Sequence, residues 1–176
     1  MENSRGCRCR FGVSLLLLAF LSFPNKGLAL INLRDKYVSQ SSNYSNGYPT
    51  KAVDDDIYSI SHTECGGYQW WRVDLENAYR VERITIINRH DQHGSRLTGA
   101  IVRAGLNLDH SRNQQIGSSV RRNQASPGGQ TIHFGANPSV MARYVSVELS
   151  GSCLQLADLR IEEETLVSTG ECGGFL

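Results

Sequence analysis

One histidine, two arginines and an aspartate stand at a spacing that could bring them into a single pocket. They follow the pattern H-x26-R-x-D-x4-R, with His62, Arg89, Asp91 and Arg96 at its fixed positions. A guanidinium group presents a planar fork of N–H donors and no acceptor, whereas an imidazole can donate or accept. Such a set suits a ligand covered with hydroxyl oxygens. Because arginine keeps its proton at physiological pH, the pattern favours binding over catalysis.

Three consecutive aspartates, Asp54-Asp55-Asp56, form a second candidate site. Carboxylates crowded into one turn repel each other unless a cation or water relieves them. Calcium takes hard oxygen ligands. The segment therefore predicts a calcium site, and a solvated acidic turn is the alternative.

An enzyme acting on sugars is the first rival interpretation. A glycoside hydrolase needs a pair of carboxylates that flank a cleft, and Asp54 and Asp91 are the available candidates. Asp54 fits the calcium turn better, and Asp91 fits an ion pair that holds an arginine in place. We therefore expect no enzymatic activity.

The elements that must position these residues are strands. Short segments rich in β-branched and aromatic residues alternate with turn signals, and no long segment has the 3.6-residue helical period. Turns are predicted at 126–129 and 135–138, and a long polar loop at 107–130. The pattern predicts an all-β sandwich. Its strands are expected at residues 70–75, 81–87, 100–104, 131–134, 144–149 and 159–161.

The first 29 residues have the layout of a secretory signal. Three arginines precede an apolar run from Phe11 to Phe23, and small residues follow at Gly27 and Ala29. The apolar run is shorter than the roughly 20 residues that a membrane span needs, and a signal anchor is the alternative. We predict cleavage near Ala29, a secreted domain at 30–165 without a membrane span, and a loose tail at 166–176.

Charge excludes one class of partner. Without residues 1–29 the chain carries 14 basic and 16 acidic residues, a formal charge of −2. A nucleic-acid-binding domain would show a basic surplus or a basic stripe, so we expect no nucleic-acid partner. The remaining 147 residues suffice for one domain with a buried core.

Three cysteines follow the predicted cleavage point: Cys65, Cys153 and Cys172. An odd number in a secreted protein implies one bridge plus a spare thiol, or a bridge between chains. Pairing Cys65 with Cys153 would leave Cys172 to link subunits, but all three pairings stay open.

One N-glycosylation sequon is intact. Asn43-Tyr44-Ser45 fits the pattern, whereas Asn137-Pro138-Ser139 is excluded by its proline. Whether Asn43 carries a glycan stays open.

From about residue 32 to residue 163 the chain resembles the F-type lectins, or fucolectins. Five segments match the family's patterns [ST]-H-T, W-W-x-V-D-L, N-R-x-D, R-[LI]-x-G-A and [GA]-R-Y-V. In this chain they are Ser61-His62-Thr63, Trp70-Trp71-Arg72-Val73-Asp74-Leu75, Asn88-Arg89-His90-Asp91, Arg96-Leu97-Thr98-Gly99-Ala100 and Ala142-Arg143-Tyr144-Val145. The resemblance implies a jelly-roll β-sandwich of the discoidin-like, galactose-binding-domain-like kind, with a sugar site on loops at one end.

The resemblance also implies roles for individual residues. His62, Arg89 and Arg96 would bind L-fucose, and Asp91 would hold an arginine. Tyr58 and His93 are candidates for the pocket wall. A structural Ca²⁺ would be bound by side-chain oxygens of Asp54, Ser59 and Asp158 and by the carbonyls of Lys51, Asp56 and Ala157. Fucosylated glycans, a homo-oligomer and a role in innate immune recognition are the implied biological setting.

Two departures from the family pattern concern the site. Many members carry adjacent bridged cysteines where this chain has Gln92 and His93, and another bridge joins the positions of Ile60 and Ala157. An apolar contact is expected to replace the second bridge.

A discoidin-like adhesion module that binds protein or phospholipid shares the expected fold and is the second rival interpretation. Such a module needs exposed apolar side chains at its loop tips, whereas the site loops of this chain carry arginine, histidine and aspartate.

Overall fold

The computed structural model describes residues 25–167. One short helix, α1 (Arg122–Ala125), and three 3-10 turns, Pro49–Ala52, Gly94–Leu97 and His110–Arg112, interrupt the strands of this range. The strands are β1 Asn25–Leu30, β2 Tyr37–Gln40, β3 Ser61–His62, β4 Tyr68–Ile87, β5 Ile101–Gly105, β6 Gln114–Ile116, β7 Thr131–Ser150, β8 Gln155–Leu156 and β9 Asp158–Val167.

The two longest strands, β4 and β7, form the centre of the fold. They pair antiparallel from Tyr68↔Ser150 to Ile87↔Thr131. The seven-stranded sheet has the order β1-β9-β4-β7-β5-β6, and β2 also pairs with β4. β2 pairs with residues 71–74 of β4, whereas β9 pairs with residues 81–87. The register shifts between these halves of β4, where bulges bend the long strands so that they serve both layers of an all-β sandwich.

The core lies between the two layers. Trp71, Val73 and Leu75 in one half of β4 and Ile84 and Ile86 in the other are completely buried. Each such side chain contributes about 1.5–3 kcal/mol relative to an exposed position. The indole Nε1 of Trp71 donates to the Pro49 carbonyl at 2.9 Å. The core thereby holds the 3-10 turn that leads into the acidic segment.

The predicted fold class is confirmed, and the structure differs from the prediction in three details. Residues 70–75 and 81–87 belong to one strand, as do 131–134 and 144–149. The predicted turn at 135–138 lies inside β7, opposite the register shift between Val81 and Arg83. Its glycine and proline mark a bulge, which tolerates both residues. The predicted loop at 107–130 contains β6, α1 and a 3-10 turn.

The predicted boundaries at both ends overlap strands. β1 pairs with β9 from Asn25↔Val167 to Leu30↔Glu162, so the predicted cleavage point near Ala29 falls inside β1, and β9 runs into the predicted tail. Residues 1–24 and 168–176, which include Cys172, lie outside the described residues. Between residues 25 and 167, no helix has the length and apolar character needed to cross a membrane.

Candidate binding site

The motif residues meet at one edge of the sandwich. The last residue of β4, Ile87, pairs with the first residue of β7, Thr131, and with the first residue of β9, Asp158. Arg89 directly follows β4, and Arg96 lies in the 3-10 turn Gly94–Leu97. On the neighbouring two-stranded sheet, β3 and β8 place His62 opposite Gln155.

Asn88 fixes the loop that carries both arginines. Its side chain is 1% exposed, and its Nδ2 donates to the carbonyls of Gly94 and Ala125 at 2.9 Å each. Its Oδ1 accepts from the Arg89 backbone N–H at 2.9 Å. A buried side-chain amide whose donors and acceptor are hydrogen-bonded is held rigidly. Asn88 therefore holds both ends of the arginine loop against α1.

A glycine pair locks the same loop from the other side. The Gly129 N–H donates to the Arg89 carbonyl at 2.7 Å. A Cβ atom on Gly128 would lie 2.3 Å from the Asp91 carbonyl oxygen and 2.7 Å from that of Arg89. The turn at 126–129 was predicted, but its close approach to the arginine loop was not, because nothing local to the turn signals it.

The His62 ring is hydrogen-bonded at both nitrogens. Its Nδ1 lies 2.7 Å from the Thr63 carbonyl oxygen. Because a carbonyl only accepts, Nδ1 carries the proton, and Nε2 accepts from the side-chain amide of Gln155. The Tyr44 ring packs against the imidazole with centroids 4.7 Å apart. Neither Gln155 nor Tyr44 was predicted, since each comes from a segment distant in sequence.

Burial lowers the pKa of His62 below its usual value, and the positive charges of Arg89 and Arg96 lower it further, while the Thr63 carbonyl opposes the shift. The imidazole is therefore neutral at physiological pH. Both guanidinium groups therefore lie close enough to the imidazole to influence its charge.

Arg89 is clamped by Asp91. The guanidinium Nε donates to Oδ1 at 2.6 Å, and Nη2 donates to Oδ2 in the same bidentate pair. Asp91 Oδ1 also accepts from the His93 N–H at 3.0 Å. The Arg89 guanidinium lowers the pKa of the Asp91 carboxyl to about 2, so the pair is ionised throughout the physiological range.

Donor capacity remains for a ligand. Arg89 uses Nε and Nη2 on Asp91, which leaves Nη1 without a hydrogen-bond partner among residues 25–167. The Arg96 guanidinium, half-buried, makes neither a hydrogen bond nor an ion pair with any residue of that range. The two arginines can thus donate to ring and hydroxyl oxygens of a ligand, beside a neutral imidazole whose own N–H is directed at Thr63.

A small cavity adjoins Arg89. It has a volume of about 140 Å³ and is lined by Ile57, Tyr58, Ile60, Arg89, His90 and Asp91. The predicted wall residue Tyr58 is 80% exposed, and its ring packs against His90 with centroids 5.4 Å apart. His93 does not line this cavity; its backbone instead supports Asp91. The isoleucines give the cavity an apolar wall that was not predicted.

A disulfide braces the β3–β8 ladder. Cys65 and Cys153 are bridged across 88 residues of sequence, which settles the pairing left open by the sequence. Closing a loop of this length stabilises the fold by on the order of 4 kcal/mol. Continuing the register Ser61↔Leu156 places Ile60 opposite Ala157, as expected of residues that stand where relatives are bridged.

The acidic turn gathers four of the six predicted calcium ligands. Ser59 Oγ lies 3.2 Å from the Lys51 carbonyl oxygen and 2.8 Å from Asp54 Oδ2. The Asp56 carbonyl oxygen accepts from the Ser59 N–H at 3.0 Å. Carbonyl, hydroxyl and carboxylate oxygens at this spacing are a donor set that suits Ca²⁺.

The remaining two predicted ligands lie at the start of β9. The Ala157 N–H donates to the Ile87 carbonyl at 3.0 Å. Asp158 is 2% exposed, its Oδ2 accepts from Arg160 Nε at 2.8 Å, and burial raises the pKa of its carboxyl. The described residues contain no cluster of three or more His, Cys, Asp or Glu side chains that could hold a metal. A cation here would therefore depend on the carbonyl and hydroxyl oxygens.

Comparisons with known proteins agree with this architecture. Residues 51–147 match the family model described as a NedA-like, galactose-binding domain. Fucolectin-3 of Anguilla japonica is 33% identical over 143 residues, which are 81% of this chain and 68% of the relative. Fucolectin-5 of the same species is 37% identical over 109 residues, 58% of this chain and 54% of the relative.

Two solved structures are similar as well. The serum F-lectin of Morone saxatilis (striped bass) superposes with a TM-score of 0.67 at 25% identity, covering 79% of this chain and 48% of that one. The lectin domain of lectinolysin, solved in complex with Lewis B antigen, superposes with a TM-score of 0.62 at 29% identity, covering 74% and 94%.

The fold and the matched family model define a galactose-binding-domain-like β-sandwich. Within that class, the chain belongs to the fucolectin, or F-type lectin, family. The resemblance predicted from the sequence motifs is thereby confirmed. The chain spans about half to two thirds of the length of the two fucolectins and of the striped bass lectin.

Proposed function

We propose that this protein is a lectin that binds terminal L-fucose on glycans through His62, Arg89 and Arg96. The observation that carries the proposal is the set of donors that make no hydrogen bond within the described residues: Nη1 of Arg89 and the guanidinium of Arg96, both of which act on the neutral imidazole of His62. A pyranose ring offers the acceptors that these donors need. The relatives described above, fucolectins and a lectin domain in complex with Lewis B antigen, point to the same ligand class.

The cavity beside Arg89 supports fucose over other sugars. Its wall of Ile57 and Ile60, with Tyr58 at the mouth, suits the C6 methyl group of fucose. L-galactose differs from L-fucose only by a hydroxyl on C6. That hydroxyl would lose its water against an apolar wall, which costs about 1–3 kcal/mol when no partner replaces the water. We therefore propose that the cavity selects the methyl sugar.

We propose binding without catalysis. Asp91, one of the two carboxylates that a hydrolase could use, is held in the ion pair with Arg89. Asp54, the other, is engaged by Ser59 and by the Asp56 backbone N–H. Both carboxylates therefore have structural partners, and neither stands opposite the other across the Arg89 cavity.

Calorimetric titration with L-fucose tests the proposal. Arg96→Ala is the informative variant, because its guanidinium supports nothing within the described range; Arg122→Ala, an exposed residue of α1, is the matched control. We expect heat for the wild type and for Arg122→Ala and none for Arg96→Ala. A folded wild type that gives no heat would show the proposal to be wrong and would favour the adhesion module that binds protein or phospholipid.

The setting of this activity is part of the proposal. We propose a secreted, calcium-stabilised protein that recognises fucosylated glycans in innate defence. A monosaccharide makes few contacts, so single-site affinity is weak and useful avidity needs several linked sites. We therefore propose a homo-oligomer, and sedimentation velocity of the purified protein would detect it.

A further inference from the structure

The turn at residues 41–47 is attached directly to the sugar site. The Tyr44 N–H donates to the His62 carbonyl, and the His62 N–H donates to the Gly47 carbonyl, both at 2.9 Å. The Gly47 N–H closes the turn on the Tyr44 carbonyl at 3.0 Å. A Cβ on Gly47 would lie 2.4 Å from the His62 Cβ, so the turn packs on His62 as closely as a backbone can. Anything carried by this turn stands at the rim of the site.

The turn contains the intact sequon Asn43-Tyr44-Ser45. Asn43 and Ser45 are exposed, and only the residue between them, Tyr44, packs on His62. Asn43 Oδ1 accepts from Gln40 Nε2 at 2.8 Å, which orients the amide. Nδ2, the atom to which an oligosaccharide is attached, has no hydrogen-bond partner among the described residues. The folded turn can therefore carry a glycan without losing a contact.

We propose that Asn43 is N-glycosylated and that the attached oligosaccharide shields the rim of the site. The second half of this inference rests on the proposed fucose binding. In the modification, Asn43 Nδ2 forms a bond to the anomeric carbon of an oligosaccharide and loses one proton. The polyisoprenyl diphosphate that carried the oligosaccharide leaves from the same carbon.

Shielding discriminates ligands by size. The glycan begins one residue from Tyr44, whose ring lies 4.7 Å from that of His62. A mobile, hydrated oligosaccharide there occupies volume above the site but forms no part of its hydrogen-bonding groups. A single fucose passes it, whereas a branched fucosylated glycan must displace it. The modification thus restricts the lectin to terminal, well-separated fucose residues.

The modification is tested on the full chain produced in cultured animal cells, with cell and medium fractions both examined. Asn43→Gln and Ser45→Ala each destroy the sequon, and Ser45→Ala keeps the Gln40–Asn43 hydrogen bond. Asn46→Gln, an exposed asparagine of the same turn outside any sequon, is the matched control. Peptide N-glycosidase should increase the gel mobility of the wild type and of Asn46→Gln and leave both sequon variants unchanged. An unchanged wild type in both fractions overturns the modification.

Shielding is tested by comparing the affinities of the same four proteins. We expect Kd for L-fucose to agree within about twofold, and binding to an immobilised branched fucosylated glycan to be about threefold tighter, or more, in both sequon variants. Equal binding of the branched glycan by glycosylated and unglycosylated proteins overturns the shielding. If no form binds L-fucose although the mobility shift is present, the lectin proposal fails and shielding fails with it, while the modification stands.

Discussion

Gln155 lies opposite His62 in the β3–β8 ladder, and its buried side-chain amide donates to His62 Nε2. This donor matches only a neutral imidazole, whose Nδ1 proton is already directed at Thr63. The Gln155 Oε1 atom is buried without a hydrogen-bond partner in the described part of the chain. Rotation of the amide would present that oxygen to a protonated imidazole. The orientation of the Gln155 amide therefore depends on the protonation state of His62.

We predict that Gln155→Glu raises the pKa of His62, because a carboxylate accepts a hydrogen bond from protonated Nε2 and its negative charge favours the imidazolium. Burial holds the wild-type pKa below 6.5, so the stability due to the neutral ring is complete above about pH 6.5 and is lost as the pH falls through the lowered folded-state pKa. NMR titration of the His62 ring measures both proteins. Gln124→Glu, an exposed change on α1, is the control. Equal His62 midpoints in all three proteins would contradict the coupling.

Asp91 is predicted to act on fucose binding through Arg89. Asp91→Ala releases a long side chain whose rotamer freedom costs up to about 2 kcal/mol to restrict, so we expect affinity for L-fucose to fall by about 5- to 30-fold. Thermal stability should change little, because the Asp91 side chain is 51% exposed. Asp91→Asn keeps one acceptor and should give an intermediate loss.

The pH dependence gives an independent check on the same pair. With the pKa of Asp91 near 2, the carboxylate stays ionised as the pH falls, and its contribution disappears only as the pH approaches that value. Calorimetry at pH 7 and pH 5 should therefore show the same ratio between wild type and Asp91→Ala. A ratio that collapses at pH 5 would contradict the role assigned to the ion pair.

Gly128→Ala is predicted to disable the site while the sandwich stays folded. The new Cβ would meet backbone oxygens of Asp91 and Arg89 at 2.3 and 2.7 Å, and backbone cannot yield as a side-chain tip can. The arginine loop must shift, and a misplacement of about 1 Å is enough to spoil a binding constellation. We expect L-fucose affinity to fall by about tenfold or more. Gly135→Ala, where a Cβ meets nothing within 4 Å, is the control and should bind like the wild type.

The features that could be predicted from the sequence are those that depend on local patterns of residues. Alternation along residues 144–149 and the motif around Arg89 are local, so the fold class and the family could be predicted. The amide of Gln155 and the approach of Gly128 are contacts between segments far apart in sequence, which no local pattern reports. The turn predicted at 135–138 was wrong for a related reason. Glycine and proline occur in bulges as well as in turns, and only the pairing of β7 with β4 distinguishes the two. The sugar and calcium roles stay predictions.

Calcium is predicted to raise the melting temperature of the wild type. Binding to the folded state alone stabilises by about 2.7 kcal/mol at a free concentration 100 times Kd, which corresponds to a shift of roughly 5–10 °C for a domain of this size. Ser59 Oγ contacts both the Asp54 carboxylate and the Lys51 carbonyl oxygen. Asp54→Asn removes the negative charge of that carboxylate and should abolish most of the calcium-dependent shift in melting temperature. Asp55→Asn is the matched control, since Asp55 is paired with Arg34 instead. Scanning calorimetry with calcium and with chelator distinguishes the outcomes: an equal shift in Asp54→Asn and Asp55→Asn would place the ion elsewhere, and no shift in the wild type would leave the turn as a solvated acidic loop.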